Sequence, residues 1–177
     1  MKSFGLKFID IMIGIVLGLG FQWWPALSQP WQYVAFIFVY VDIIDYWIDY
    51  GPALRKFPPK REFDLILDVG IMFTLFLYIY ATQLSIIYFL LSFIAFKMFD
   101  MFWLLRAKFQ HHPTGREGTF IQTWITSNTL EAVVSTLLVM GCWFAGLTAP
   151  ITLAIFIAIR LILRVFASYR YRQIHFV

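Results

Sequence analysis

Residues 69–96 read VGIMFTLFLYIYATQLSIIYFLLSFIAF, a stretch that contains no charged side chain. A helix needs about 20 predominantly apolar residues to cross a bilayer, so this stretch is too long for one crossing and too short for two. The polar pair Thr82 and Gln83 interrupts it near its middle. We therefore predict a tight helical hairpin whose two arms extend into the charged residues on either side.

Two further uncharged stretches, residues 11–41 and 132–159, have the same design. Pro25 to Pro30 interrupts the first, and Gly146 to Pro150 interrupts the second. Three hairpins give an all-α polytopic membrane bundle, a single transmembrane domain over residues 1–177. The six predicted transmembrane helices occupy about 5–24, 31–50, 62–81, 84–105, 119–144 and 150–169.

The composition agrees with a membrane protein. Of all residues, 61% are hydrophobic and 20% aromatic, which lies outside the range of soluble globular domains. Cys142 is the single cysteine, so the chain has no internal disulfide and no cysteine metal site. The bilayer is thus the principal expected partner.

Eleven of the fourteen basic residues fall at the two chain ends and in two polar loops, whereas the three hairpin tips carry none. They are Lys2, Lys7, Arg55, Lys56, Lys60, Arg61, Arg106, Lys108, Arg116, Arg170 and Arg172. By the positive-inside rule, both termini and both polar loops are cytoplasmic. Three long tilted helices would place these loops on alternating sides, so the six-helix interpretation is preferred. The basic and aromatic residues 169–172 are typical of an anchor at anionic headgroups, and no nucleic-acid partner is expected.

Five carboxylates flank the first polar loop. Asp42, Asp45 and Asp49 share one helical face, and Asp64 and Asp68 share another. An unpaired carboxylate inside a membrane costs a few kcal/mol, so these side chains must face water, cations, a metal ion or basic partners. They are our candidate cation- or metal-binding residues. The alternative is that they form salt bridges with Lys97, Arg160 and Arg164.

Further polar residues lie within the later spans. Glu131, with Asn128 beside it, is close to the middle of the fifth span, and Arg160 is near the middle of the sixth. Opposite charges at equal depth on adjacent antiparallel helices are expected to pair. We therefore predict a Glu131–Arg160 ion pair, which is either structural or part of an intramembrane polar pathway.

Four more charged residues complete this candidate set of pathway or ion-pair residues, namely Arg164, Asp10, Asp100 and Lys97. Arg164 lies one helical turn from Arg160, and it is predicted to reach Asp10 or Asp100. Lys97 and Asp100 are three residues apart on the fourth span, a spacing that allows a local pair.

The aspartates also resemble a known motif. Asp42 and Asp45 form D-x-x-D at the end of the second span, and Asp64 and Asp68 form D-x-x-x-D at the start of the third. Over residues 42–68 this pattern is similar to that of the CDP-alcohol phosphatidyltransferase family. The resemblance implies a six-helix membrane fold with cytosolic termini, in which these four aspartates hold a divalent metal such as Mg²⁺ and activate an acceptor alcohol. The glycine and arginine that follow the family's second aspartate are replaced here by other residues.

Three functional classes follow. The first is permeation or transport of a cation, a proton or a small solute through a carboxylate-lined pathway that faces the cytosol. The second is a metal-dependent lipid headgroup transferase that uses the four aspartates. The third is an accessory subunit of a larger membrane complex, whose polar faces are covered by partner helices. The first class allows a single chain or a homo-oligomer.

Overall fold

The computed structural model describes the backbone of residues 2–175 and the side chains of residues 7–170. Over that part of the chain there are six α-helices and no β-strand, which confirms the all-helical prediction. The helices are α1 (Lys2–Gly20), α2 (Pro30–Lys56), α3 (Glu62–Tyr80), α4 (Ile86–His111), α5 (Gly115–Phe144) and α6 (Ala149–His175). Two short 3₁₀ segments, Phe21–Ala26 and Ala81–Gln83, follow α1 and α3.

Short connections join the helices where the sequence predicts turns. Pro30 occupies the first turn of α2, where its missing N–H costs no hydrogen bond. The side-chain oxygen of Gln32 accepts hydrogen bonds from the backbone N–H groups of Ser28 and Gln29, at 2.8 and 2.9 Å. Gly146, between α5 and α6, has a φ of 63°, a conformation that favours glycine. These features reverse the chain within a few residues.

Connections at the same end of the bundle contact one another. At the end with the hairpin turns, which we call the tip end, the side chain of Gln32 donates to the carbonyl of Leu84 at 3.3 Å. At the opposite end, which we call the loop end, Arg106 donates to the carbonyl of Phe57 at 3.2 Å. The helices therefore run up and down between two defined ends.

The order of the helices around the bundle decides which side chains meet. Helix α4 packs between α3 and α5, and α6 packs against α5. Helix α1 packs mainly against α3, and α2 contacts α1, α3 and α6. The polar face of α2 is therefore directed at α6, although α6 is the last helix in the chain.

Five helices are long and apolar enough to cross a membrane, within the residues described. They are α1 with its 3₁₀ extension, α3, α4, α5 and α6. Helix α2 is not among them, since Asp42, Asp45 and Asp49 lower its hydropathy. The chain thus has the composition of a multi-pass membrane protein, and the sixth span remains a prediction. The side chains of Lys2 and Arg172, which the orientation argument uses, lie outside the described part.

A layer of packed rings fills the bundle toward the tip end. Phe156 on α6 lies at its centre, with ring centroids 4.8 Å from Phe93, 5.4 Å from Phe89 and 5.8 Å from Phe38. Tyr78 on α3 stacks beside Phe89 and Phe93. We call these five residues the aromatic layer. The charged side chains of α4 and α6 begin immediately below it, toward the loop end.

Candidate functional site

A buried network of acidic and basic side chains lies in the middle of the bundle. Arg160 on α6 contacts Asp42 on α2 at 2.8 Å and Glu131 on α5 at 2.9 Å. Lys97 on α4 contacts the other oxygen of Glu131 at 2.8 Å. All four side chains are at most 9% exposed. The contact between Glu131 and Arg160 confirms the pair predicted from their equal depth.

Asp100 completes this network without a direct cation partner. Its carboxylate accepts hydrogen bonds from the hydroxyl of Tyr46 at 3.0 Å, the indole N–H of Trp124 at 2.9 Å and the amide of Asn128 at 2.7 Å. The side chain is completely buried. Three neutral donors can stabilise a buried carboxylate. The local Lys97–Asp100 pair was a wrong prediction, because Lys97 is turned toward α5 and pairs with Glu131.

We call Asp42, Lys97, Asp100, Glu131 and Arg160 the charge cluster. It is assembled from α2, α4, α5 and α6, with one or two residues from each helix. Tyr78 from α3 packs above it in the aromatic layer. Four separate helices therefore converge on one small polar volume.

A second group of charges lies one turn nearer the loop end. The guanidinium group of Arg164 contacts Asp45 at 2.5 and 2.7 Å and also contacts Asp49. These side chains are half-buried, with 23% of Arg164 and 34% of Asp45 exposed. We call these three residues the mouth. The predicted contact of Arg164 with Asp10 or Asp100 was wrong, since α6 packs against α2 and Asp10 is exposed on α1.

A cavity of about 30 Å³ connects the mouth to the charge cluster. Its lining includes Asp45, Asp49 and Arg164 at one side and Lys97, Glu131 and Arg160 at the other. Tyr46, Trp124 and Asn128, the three donors to Asp100, also line it. A cavity of this size holds one or two water molecules when it is polar. The cavity can therefore hold water between the half-buried mouth and the charge cluster.

A smaller cavity of about 10 Å³ lies on the tip side of the same ion pair. Glu131 and Arg160 line both cavities, and Ser135 lines the smaller one together with apolar residues. Phe93 and Phe156 of the aromatic layer form part of its wall. The ion pair thus separates a wetter compartment from a more apolar one.

The remaining two predicted site residues lie elsewhere, near the loop end. Asp68 accepts a hydrogen bond from the hydroxyl of Tyr50 at 2.7 Å. Asp64 accepts from the backbone N–H groups of Lys60 and Arg61, at 2.8 and 2.9 Å, so it caps the start of α3. The side chain of Gln110 also donates to Asp64, at 3.0 Å. Both carboxylates are buried and have local structural partners.

The five predicted cation- or metal-binding aspartates are therefore divided among three places. Asp42 is in the charge cluster, Asp45 and Asp49 are at the mouth, and Asp64 and Asp68 are on α3. Among the side chains of residues 7–170, no three His, Cys, Asp or Glu residues come close enough to hold a metal ion. Arg164 lies between Asp45 and Asp49, and Arg160 lies between Asp42 and Glu131, so these arginines occupy the positions that a bound cation would take.

Sequence reasoning missed several uncharged members of this region. Tyr46 and Tyr50 each donate to a buried carboxylate, and Trp124 donates to Asp100. The sequence does contain a signal for the two tyrosines. Tyr46 and Tyr50 follow Asp42 at intervals of four residues and so share its helical face. Arg106, interpreted as a loop residue, is instead a buried part of α4 that lies 3.6 Å from Asp64.

No protein-family model, no curated protein and no solved structure matches this chain. Side chains of both signs, buried at one depth with water-sized cavities on either side, can attract and pass a small charge. These side chains are poorly suited to binding a large anionic substrate, because Arg160 and Arg164 are already paired with carboxylates.

Proposed function

We propose that this chain is a transport protein that passes a proton or a small cation along a pathway opening at its loop end. The observation that carries the proposal is the cavity that runs from Asp45 and Asp49 to the buried Glu131 and Arg160. Ionised residues buried within a membrane domain are costly and typically serve ion pathways. Here they line a volume that water can enter.

The proposal includes a topology with six spans and a cytosolic loop end. Helix α2 is long enough to cross, and its three aspartates are paired with Arg160 and Arg164 rather than left facing lipid. Pairing removes much of the cost that its composition implies. Because the basic residues of the loops lie at the loop end, the positive-inside rule places that end in the cytosol.

Electrostatics at the mouth favour the entry of cations. Two carboxylates, Asp45 and Asp49, face one guanidinium group, that of Arg164, so the mouth has one negative charge in excess. A narrow entrance of one sign, with low-dielectric walls, raises the local concentration of ions of the opposite sign. The mouth therefore selects cations over anions before the charge cluster is reached.

The aromatic layer acts as the closed gate of this pathway. Phe93 and Phe156 are completely or almost completely buried and lie directly beyond Glu131 and Arg160. Hydrophobic constrictions block ions by excluding water. In this proposal the pathway is open at the loop end and is closed toward the tip end by the aromatic layer.

The direct test is an ion-flux measurement on purified protein in liposomes. We expect the wild-type protein to carry a proton or cation flux down an imposed gradient. Asp45→Asn combined with Asp49→Asn should lower that flux, because the mouth loses its negative charge. The matched control is Asp10→Asn, which removes an exposed carboxylate that lies outside the pathway. Absence of flux for every ion and gradient direction would overturn the proposal.

The transferase alternative lacks comparable geometric support. It requires Asp42, Asp45, Asp64 and Asp68 around one metal ion, whereas Asp42 and Asp45 contact arginines of α6 and Asp68 contacts Tyr50. Magnesium-dependent release of cytidine monophosphate from a CDP-lipid by the purified protein would reverse this ranking. An accessory role would be favoured if the chain were stable only together with a second membrane protein.

A further inference from the structure

We infer that the transported ion is the proton, and that the charge cluster is its binding site within the membrane. The inference depends on the proposed transport function and adds the identity of the ion. Three carboxylates, Asp42, Asp100 and Glu131, face two cations, Lys97 and Arg160. The cluster therefore has one negative charge in excess, and one bound proton makes it neutral.

Neutrality matters here because every member of the cluster is buried. None of the five residues is more than 8% exposed, and an uncompensated charge in such surroundings is expensive. The excess charge is not balanced by the neighbouring groups. They include the neutral side chains of Tyr46 and Tyr50 on α2, Tyr78 on α3, and Trp124, Asn128 and Ser135 on α5. They also include the carboxyl group of Asp68 on α3 and the mouth, which itself has an excess of negative charge, whereas the cation Arg106 on α4 lies beside Asp64.

A metal cation does not fit this site. Sodium, potassium and divalent ions need several oxygen ligands around one point, whereas two fixed cations already lie between the carboxylates. Within residues 7–170, no group of three potential ligands is assembled. A proton needs only one carboxylate oxygen and an adjacent water molecule. The geometry of the cluster therefore favours binding of a proton over binding of a metal cation.

The smaller cavity provides the adjacent water position on the tip side. It measures about 10 Å³, close to the minimum volume that a buried water needs. Ser135 Oγ and Arg160 Nε are buried there without a hydrogen-bond partner, and both side chains are at least nine-tenths buried. A water molecule can accept from Arg160 Nε, bond to Ser135 Oγ and donate to Glu131, which gives it the usual three hydrogen bonds.

Glu131 connects the two compartments because it lines both cavities. A hydronium ion in the larger cavity transfers its proton to the Glu131 carboxylate, which forms an O–H bond and leaves a neutral water molecule behind. That bond breaks when the water between Ser135 and Arg160 accepts the proton and becomes hydronium, and this hydronium passes the proton to water that enters from the tip end when the aromatic layer opens. One proton moves and no electron is transferred. While Glu131 is neutral, Arg160 remains paired with Asp42. Lys97 remains one helical turn from Asp100.

The experiment uses the full chain in liposomes that contain a pH-sensitive dye, with the membrane potential set by potassium and valinomycin. We expect proton flux that is unchanged when sodium is replaced by choline. Glu131→Gln should lower it about a hundredfold, the scale of losing a proton-transferring group. Ser135→Ala should lower it about fivefold, the equivalent of one neutral hydrogen bond. Thr136→Ala, at the exposed neighbouring position of α5, is the control and should leave the flux unchanged.

The possible results distinguish the proton inference, the transport function and the assigned route. Flux of sodium or potassium without protons would overturn the proton inference and leave the transport function standing. Absence of any flux would overturn both. Proton flux that survives both Glu131→Gln and Ser135→Ala would overturn the assigned route. If Glu131→Gln fails to fold, Ser135→Ala with its Thr136→Ala control carries the test.

Infrared difference spectroscopy offers a readout that does not depend on flux. A protonated carboxyl group in the cluster should give a carbonyl band that shifts in D₂O and disappears in Asp100→Asn or Glu131→Gln. The Asp10→Asn control should retain it. If wild-type protein shows no such band at any pH at which it is folded, the cluster binds no proton.

Discussion

The ammonium nitrogen of Lys97 lies 2.8 Å from Glu131 Oε2, and only 3% and 4% of the two side chains is exposed. Replacement of Lys97 by methionine leaves a buried carboxylate with Arg160 as its remaining cation. Breaking a buried ion pair from one side costs about 3–5 kcal/mol. We expect Lys97→Met to lower the free energy of unfolding by that amount, measured by denaturation in mild detergent.

The control for this change is the double variant Lys97→Met with Glu131→Gln, which removes both charges and should recover part of the lost stability. Lys108→Met, at an exposed position of α4, should change stability by less than about 0.5 kcal/mol. Equal stability of Lys97→Met and Lys108→Met would show that the buried pair does not hold α4 to α5.

Tyr50 supports the α2–α3 contact through its hydroxyl group, which donates to Asp68 at 2.7 Å. Tyr50→Phe keeps the ring that stacks on Tyr46 and removes only the donor. Removal of one hydrogen bond from a buried carboxylate lowers the free energy of unfolding by about 1–3 kcal/mol. Thermal unfolding in detergent should show the loss, whereas Tyr88→Phe on the exposed face of α4 should not. A Tyr50→Phe protein as stable as wild type would mean that Asp68 has another adequate donor.

Gly70 allows α3 and α4 to approach closely. A Cβ atom added at this position would lie 2.5 Å from the ring of Phe99. Gly70→Ala should therefore destabilise the bundle by about 1–3 kcal/mol, the usual cost of overpacking. Gly14→Ala is the matched control, because nothing lies within 4 Å of its added Cβ. That substitution should be neutral or slightly stabilising, since alanine favours the helix; a destabilisation equal to that of Gly70→Ala would contradict the packing argument.

Cysteine labelling tests the six-span topology. In a Cys142→Ala background, Ser28→Cys and Pro59→Cys flank α2, and Thr114→Cys and Ala145→Cys flank α5. A maleimide that cannot cross membranes should label positions 28 and 145 from outside intact cells. Positions 59 and 114 should be labelled only after the membrane is opened. Labelling of both 28 and 59 from the same side would show that α2 does not cross.

Much of the helical organisation follows from the sequence, and particular residues show why. The uncharged stretches located the turns at Gln83 and Gly146, because apolar length and turn-forming residues are local properties of the chain. The Glu131–Arg160 contact was predictable as well, since depth in a hairpin can be counted along two adjacent helices.

The partners of Lys97 and Arg164 were not predictable in this way. Both ion pairs depend on how each helix is rotated about its axis and on which helices become neighbours. These are properties of the whole bundle. Counting residues placed Asp100 near Lys97, but the side chain of Lys97 points across to α5. Arg164 finds Asp45 because α2 and α6, at opposite ends of the sequence, pack together.

That long-range pairing has a consequence for how the protein is made in the cell. The partners of Arg164 lie 119 and 115 residues earlier in the chain, so α2 leaves the ribosome with its aspartates uncompensated. If α2 crosses the membrane as proposed, it cannot be neutralised there until α6 is synthesised, so we expect it to stay at the bilayer surface or in the insertion machinery until then. Truncated chains that end before α6 should therefore be degraded soon after synthesis, because the aspartates of α2 then have no arginine partner.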